Sequence, residues 1–324
     1  MSEHANKTHH TKARGRNAWR PGKIDAKGWR DIALRVKREV EKDNIGLIAA
    51  GVAFFFLLAI FPTIAALLSI YGLLFDPAEA REQITALAGV LPGEARSLLT
   101  EQTEQLTSGS NTALGFGALF SVLFALWSAR KGTNAMTVAL NIAYNEEDNR
   151  GFIHRTLLTY FLTLCLIIFF ALSLAIVAAA PLAFQLLGVG AFAEVTLNYL
   201  RWPFLGLIAV VALAGMYRFG PNRSAAKWRW LTPGAVLAII IWLITSGLFS
   251  WYASNFGHYN EMYGSLGAVV ILLFWFYLTA FIFLLGAELN AEMEHQTRRD
   301  TTVGGEQPMG ERDAFVADDL GKVP

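Results

Sequence analysis

Between Leu266 and Leu285 the chain runs LGAVVILLFWFYLTAFIFLL, twenty residues without one charge. At about 1.5 Å per residue, that run makes roughly 30 Å of helix, the thickness of a bilayer's hydrocarbon core. It predicts a transmembrane helix. Aromatic residues (Tyr252, Tyr259, Tyr263) precede it and carboxylates (Glu288, Glu292) follow it, so the two boundaries differ in chemistry.

The rest of the chain has the same character. Of its 324 residues 54% are hydrophobic and only 16% charged, where a soluble protein carries about 25%. This excludes an ordinary soluble domain and predicts an all-α, polytopic membrane protein. The single cysteine, Cys165, lies in an apolar run, so neither an internal disulfide nor a thiolate metal cluster is possible. The long polar stretch before the first apolar run is unlike a secretory signal, so the first apolar segment is expected to stay in the protein.

Six spans are expected. The first runs from about Leu47 to Phe75 and should kink at Pro62, whose ring and missing amide interrupt the helix. The others are Thr112 to Ser128, Thr156 to Ala180, Trp202 to about Tyr217, a fifth opening at Thr232-Pro233-Gly234 as N-cap and first turn, and Leu266 to Leu285. Ahead of them, Trp29, Ile32, Ala33, Val36 and Val40 recur at helical spacing, which predicts an amphipathic helix lying on an anionic membrane surface or capping the bundle. Between spans one and two, Ile84, Leu87 and Leu91, then Leu98, Leu99 and Leu106, fit an amphipathic hairpin hinged at Pro92-Gly93. After span two, an amphipathic run passes through Met136, Leu140 and Tyr144. Three parts result: a disordered basic tail (1–28), a membrane domain with its preceding helix (29–296), and a disordered acidic tail (297–324).

Lys and Arg alternate between the connections: those on one side, with both tails, hold 24, and those on the other hold 3. By the positive-inside rule both termini are expected in the cytosol and the hairpin in the periplasm.

A set of motifs carries a family resemblance: Phe61-Pro62, Trp127-Ser128, Leu140-Asn141 with Tyr144, Arg150 and Phe152, Tyr217-Arg218-Phe219-Gly220-Pro221, Pro233-Gly234-Ala235, Phe249 and Tyr252, Tyr259, Tyr263 through Ala268, and Gly286-Ala287-Glu288-Leu289-Asn290-Ala291. In this order they resemble the YihY/virulence factor BrkB family of bacterial inner-membrane proteins, over roughly residues 33 to 295. The chain departs from the family pattern at Phe54-Phe55 and Ala59, where members commonly show a Tyr-Tyr pair and a serine. The resemblance implies a multi-pass protein of the bacterial inner membrane, in a family long labelled ribonuclease BN.

The residues themselves do not favour a nuclease. Metal-assisted phosphodiester hydrolysis needs several His, Asp or Glu ligands on one side of the membrane. His4, His9 and His10 fall in the first tail, His154, His258 and His295 are scattered, and Glu146-Glu147-Asp148 reads as solvated surface. No catalytic, cofactor-binding or metal residues are assigned. The spans lack ionisable side chains at their centres, which speaks against a proton relay and for substrates handled by shape and rim charge, lipids above all. The expected role is non-enzymatic transport or organisation of envelope lipid, with ribonuclease or assembly scaffold as alternatives. Membrane lipids are the expected partners, with a second copy or envelope proteins as further ones and no nucleic acid.

Candidate contacts to headgroup or substrate are Arg130, Arg150, Tyr217, Arg218, Arg223, Lys227 and Arg229, a basic rim that also includes Lys131, together with Tyr252, Tyr259 and Tyr263 on the other side. Trp228 and Trp230 read as interface anchors around Arg229. Candidate structural positions are Pro62, Asn141, Tyr144, Pro221, Gly234, Gly264, Gly267, Glu288 and Asn290. Glu288 and Glu292, with Asn290, oppose the positive side of the membrane, so either a partner such as Arg218 or Arg150 or a hydrated helix end is expected there.

Overall fold

The structure, a computed structural model, describes residues 14–74, 111–186, 191–256 and 265–324. The hairpin between spans one and two, Tyr259, Tyr263 and Gly264 lie outside these residues. The described residues form helices and no strand, with one isolated β-bridge between Ala226 and Thr302.

After a short 3-10 turn at Pro21–Lys23 come α1 (Ala26–Lys42), α2 (Ile45–Leu74), α3 (Asn111–Ala143), α4 (Phe152–Leu186), α5 (Ala191–Phe219), α6 (Trp228–Phe256), α7 (Ser265–Glu294) and the single turn α8 (Phe315–Asp318). Four stretches are long and apolar enough to cross a membrane: Phe152–Ser173, Trp202–Phe219, Trp228–Tyr252 and Val269–Glu294. A fifth is added if α1 with Ile45–Ile60 is one broken span. Large apolar side chains such as Phe161, Ile168, Val211 and Leu243 stand exposed along them, the expected dress of a helix facing lipid.

The helices outrun the apolar stretches that announced them. Helix α3 passes Ser128 without a break and carries Arg130, Lys131, Met136 and Leu140 to Ala143, so span and amphipathic run are one helix. Helix α6 starts at Trp228, four residues before the expected cap, and the Thr232 hydroxyl donates back to the Trp228 carbonyl at 2.8 Å instead of capping. Pro233 therefore sits inside the helix, where a neighbouring side chain serves the backbone groups around it. Pro62 is likewise inside α2, and Pro203 inside α5. Hydrophobicity marks the part of a helix in lipid. It says nothing of the turns beyond, which tertiary bonds hold.

By contacts the molecule divides into two compact units. The first comprises the chain up to Ala49, Met136–Ile244 and Phe281–Pro324; the second comprises Ala50–Ala135 and Thr245–Ala280. In the first, Ala18, Ile24, Ile32, Trp230 and Met293 make a buried apolar cluster, with Val36 and Leu289 against it. Helix α1 turns Gly28, Asp31, Ile32 and Arg35 inward, a face one residue off the expected stripe, and leaves Trp29 and Ala33 exposed. Charge decides this register, because the buried Asp31 and Arg35 have ion-pair partners, Arg14 and the buried Glu292. This is a helix packed on the protein.

The described parts of both tails, from residue 14 and from residue 297, differ from the expectation of disorder. Residues 14–24 fold onto the first unit: Arg16 donates to the Gly321 carbonyl at 2.6 Å, the Thr297 hydroxyl donates to the Ala18 carbonyl at 2.6 Å, and the Arg298 N–H to the Arg16 carbonyl at 2.8 Å. Residues 297–324 make a belt. Arg312, 3% exposed, donates to the carbonyls of Ala317, Arg298 and Gln307. Asp300 accepts from the Thr302 N–H and hydroxyl and from the Gln307 N–H. Burial alone would raise the Asp300 carboxyl, but these donors outweigh it and hold it below the usual range. The belt lacks apolar periodicity because buried Arg and Asp bonded to backbone organise it.

Candidate functional site

The last turns of α7 from Phe283, with His295 and Gln296 just beyond its end, carry a dense set of buried polar groups in the first unit. They lie on more than one face, so α1, α6 and the loop that carries Arg223 are all reached from this segment.

Asn290 faces α6. Its Oδ1 accepts the Gly234 N–H at 2.9 Å and its Nδ2 donates to the Leu231 carbonyl at 3.0 Å. Gly234 is required by this crossing, since a Cβ there would lie 2.2 Å from the Gly286 carbonyl oxygen and 2.4 Å from Asn290 Oδ1. The Tyr217 hydroxyl donates to the Phe283 carbonyl at 2.6 Å and lies against Gly286. Tyr217 is thus a buried strut between α5 and α7.

Glu294 is fully buried and receives the Arg223 guanidinium at both oxygens, 3.2 and 2.8 Å, with the Thr301 hydroxyl at 2.6 Å. Arg223 also stacks over the Tyr144 ring, 5.1 Å from its centroid. Burial would by itself lower the Arg223 proton affinity, but Glu294 more than compensates and raises it. Tyr144 is fully buried; burial holds its hydroxyl well above the ordinary phenol range, and with the Asn290 amide nearby it completes no hydrogen bond.

Glu292 faces α1. Arg35 donates through Nε to its carboxylate and through Nη2 to its backbone carbonyl at 3.0 Å and to Gln296 Oε1 at 2.9 Å. His295 Nδ1 stands 3.4 Å from the same carboxylate, and its Nε2 has no hydrogen-bond partner. Glu288 is 1% exposed, and its Oε1 accepts no hydrogen bond.

The basic rim is largely bonded internally. Arg150 grips Asp148 at 2.7 and 3.2 Å and donates to the Gly220 carbonyl at 3.0 Å; burial would raise Asp148, and Arg150 with its backbone N–H holds it below the usual range. Arg218 donates to the Ala226 carbonyl at 2.5 Å and lies over Trp228, while Lys227 donates to the Asp300 carbonyl at 2.9 Å. The partner expected for Glu288 is therefore not found: Arg150 is taken by Asp148 and Arg218 by a carbonyl. Arg130 is half-buried on α3, and Lys131 sits 4.3 Å over the Trp127 ring. Tyr252 is exposed near the end of α6. Trp230 is fully buried in the apolar cluster, which corrects its reading as an anchor, whereas Trp228 and Arg229 are exposed.

Asn141 bonds the turn that follows Pro221. The Asn222 N–H donates to Asn141 Oδ1 at 2.7 Å and Pro221 is buried. In the acidic triplet Glu147 is exposed, while Glu146 accepts the Phe315 N–H at 2.8 Å; burial raises its carboxyl and that bond partly offsets the rise. Among the described residues no three His, Cys, Asp or Glu side chains are placed to hold a metal ion. Sequence reasoning missed Asp31, Arg35, Thr301, Asp300 and Arg312. The spacing Asp300-Thr301-Thr302, a carboxylate followed by hydroxyls that can donate back to it, is the one local signal of the belt.

The chain matches the family described as virulence factor BrkB over residues 36–309. It is 34% identical over 247 residues to YfkH of Bacillus subtilis (strain 168), a protein named as ribonuclease-like, covering 75% of this chain and 88% of the other. It is 27% identical over 226 residues to a UPF0761 membrane protein of Idiomarina loihiensis (68% and 75% covered), and 28% identical over 259 residues to one of Chlorobium luteolum (78% and 57%). No solved structure matches it.

Proposed function

The chain belongs to the virulence factor BrkB family of membrane proteins, and from that premise we propose that it is a six-span, non-enzymatic protein of the bacterial inner membrane that transports or organises envelope lipids, with both tails in the cytosol. One observation carries the reading. Buried ionisable groups gather at one end of the first unit and are bonded mostly to one another and to backbone, while the candidate spans offer exposed apolar side chains along their length. Such a body handles apolar molecules along its sides and polar headgroups at its rim. Helices α2 to α7, each 29 to 35 residues long, support six spans.

A reporter fused after Glu104 is expected to read as periplasmic and one after Asn222 as cytosolic; the reverse at either site overturns this arrangement. A ribonuclease is the second reading, favoured by the name of the Bacillus subtilis relative. Cleavage of a tRNA precursor by detergent-purified protein, abolished when Glu146, Glu147 and Asp148 are all replaced by Ala, would select it.

A further inference from the structure

Unlike the bonded arginines of the rim, two exposed arginines share one aromatic ring. Arg20 and Arg229 are exposed, and neither side chain has an ion pair or hydrogen bond among the described residues. Both instead lie over the Trp19 ring, with guanidinium carbons 4.5 and 5.7 Å from its centroid. A guanidinium lying over an aromatic ring keeps the N–H donors along its edge available, the edge that grips a phosphate through two parallel bonds.

Trp19 and Arg20 are held in place. The Ala18 N–H donates to the Gly15 carbonyl, the Lys23 N–H to the Arg20 carbonyl, and the Thr297 hydroxyl to the Ala18 carbonyl. Exposed charge in the sequence that follows is mostly positive: Lys23, Lys27 and Arg30 against Asp25. Trp19 is 49% and Trp228 46% exposed, and Trp228 opens the candidate span Trp228–Tyr252. A soluble anion explains the arginines but not two open indole rings at the end of a span, which is where tryptophan settles among lipid headgroups.

We propose that Trp19, Arg20 and Arg229, with Trp228 beside them, form a site for the phosphate of an anionic membrane lipid. This deepens the lipid reading above and rests on its assignment of this end of α6 to a membrane boundary. The stacked pair supplies orientation as well as charge, so the site differs from a diffuse basic surface.

The test uses the full chain in nanodiscs of phosphatidylcholine containing graded phosphatidylglycerol, with bound lipid counted by native mass spectrometry. The wild-type chain is expected to retain phosphatidylglycerol selectively. Arg20→Gln/Arg229→Gln should weaken that selectivity about thirtyfold, at roughly 1 kcal/mol for each charge. Trp19→Leu, which keeps both charges, should lose part of it. Lys37→Gln/Arg38→Gln removes the same charge from exposed positions further along α1 and should leave selectivity intact. Equal loss in the two double variants, or no loss in the first, would overturn the site, as would displacement of the lipid by millimolar inorganic phosphate. Unchanged melting of each variant shows that the fold is kept. A topology reporter that read the wrong way would instead strike the six-span arrangement while leaving lipid selectivity measurable.

Discussion

Around Glu294 and around Phe56 helices are held together by opposite kinds of contact. In the first unit Glu294, Glu292 and Asn290 reach other elements through directional bonds, and each partner is buried with them. In the second unit contacts of another kind join the helices: a single hydroxyl bond from Ser128 to the Leu58 carbonyl at 3.2 Å, Gly132 against the Phe56 ring, and Phe56 edge-on to Phe276 at 5.9 Å. Lipid gives helices no hydrophobic reason to associate, so small residues, ring contacts and single hydroxyl bonds do that work. At the polar end, buried charges choose the register, because a misplaced charge has nowhere to go.

The largest expected effect breaks the charged side of this comparison. Glu294→Ala strands Arg223 and the Thr301 hydroxyl in the interior and should cost about 3–5 kcal/mol, read as a lower melting temperature in detergent. Arg223→Met with Glu294→Leu should recover most of that loss, because the penalty belongs to the orphaned charge. A double variant as unstable as the single one would show that the pair itself is needed.

Steric contrast comes next. Gly234→Ala drives a Cβ into the Gly286 carbonyl and should cost roughly 1–3 kcal/mol. In the second unit Gly132→Ala meets the edge of the Phe56 ring, which can turn away, and Gly247→Ala meets nothing within 4 Å. The order of melting temperatures should be Gly247→Ala highest and Gly234→Ala lowest; Gly132→Ala below Gly234→Ala would erase the distinction between the units. The smallest effect is Ser128→Ala, at about 0.6 kcal/mol, the typical worth of one such bond between membrane helices.

Four of the apolar spans and the family were legible, because hydrophobic runs and an ordered set of motifs leave a mark in one dimension. Helix ends were less so: α6 begins before Thr232 because Asn290, 56 residues past Gly234, relieves the backbone there. The inward face of α1 was misread for a related reason, since Asp31 and Arg35 look like surface until Arg14 and Glu292 are known to stand opposite. Similarly, nothing local told bonded rim arginines from open ones. Arg223 and Arg229 differ only in what lies across from them.

The stitching of residues 14–24 to the far end of the chain has a consequence in time. Arg16 can reach the Gly321 carbonyl only after 305 further residues have been joined, which at about 5–20 residues per second takes roughly 15–60 s of synthesis. During that interval the helices enter the bilayer while Trp19 and Arg20 have no settled position. The surface that meets lipid phosphate in our reading is therefore finished last, after insertion. Ribosome-bound chains stalled before Thr297 should leave the Arg14–Lys23 segment open to protease.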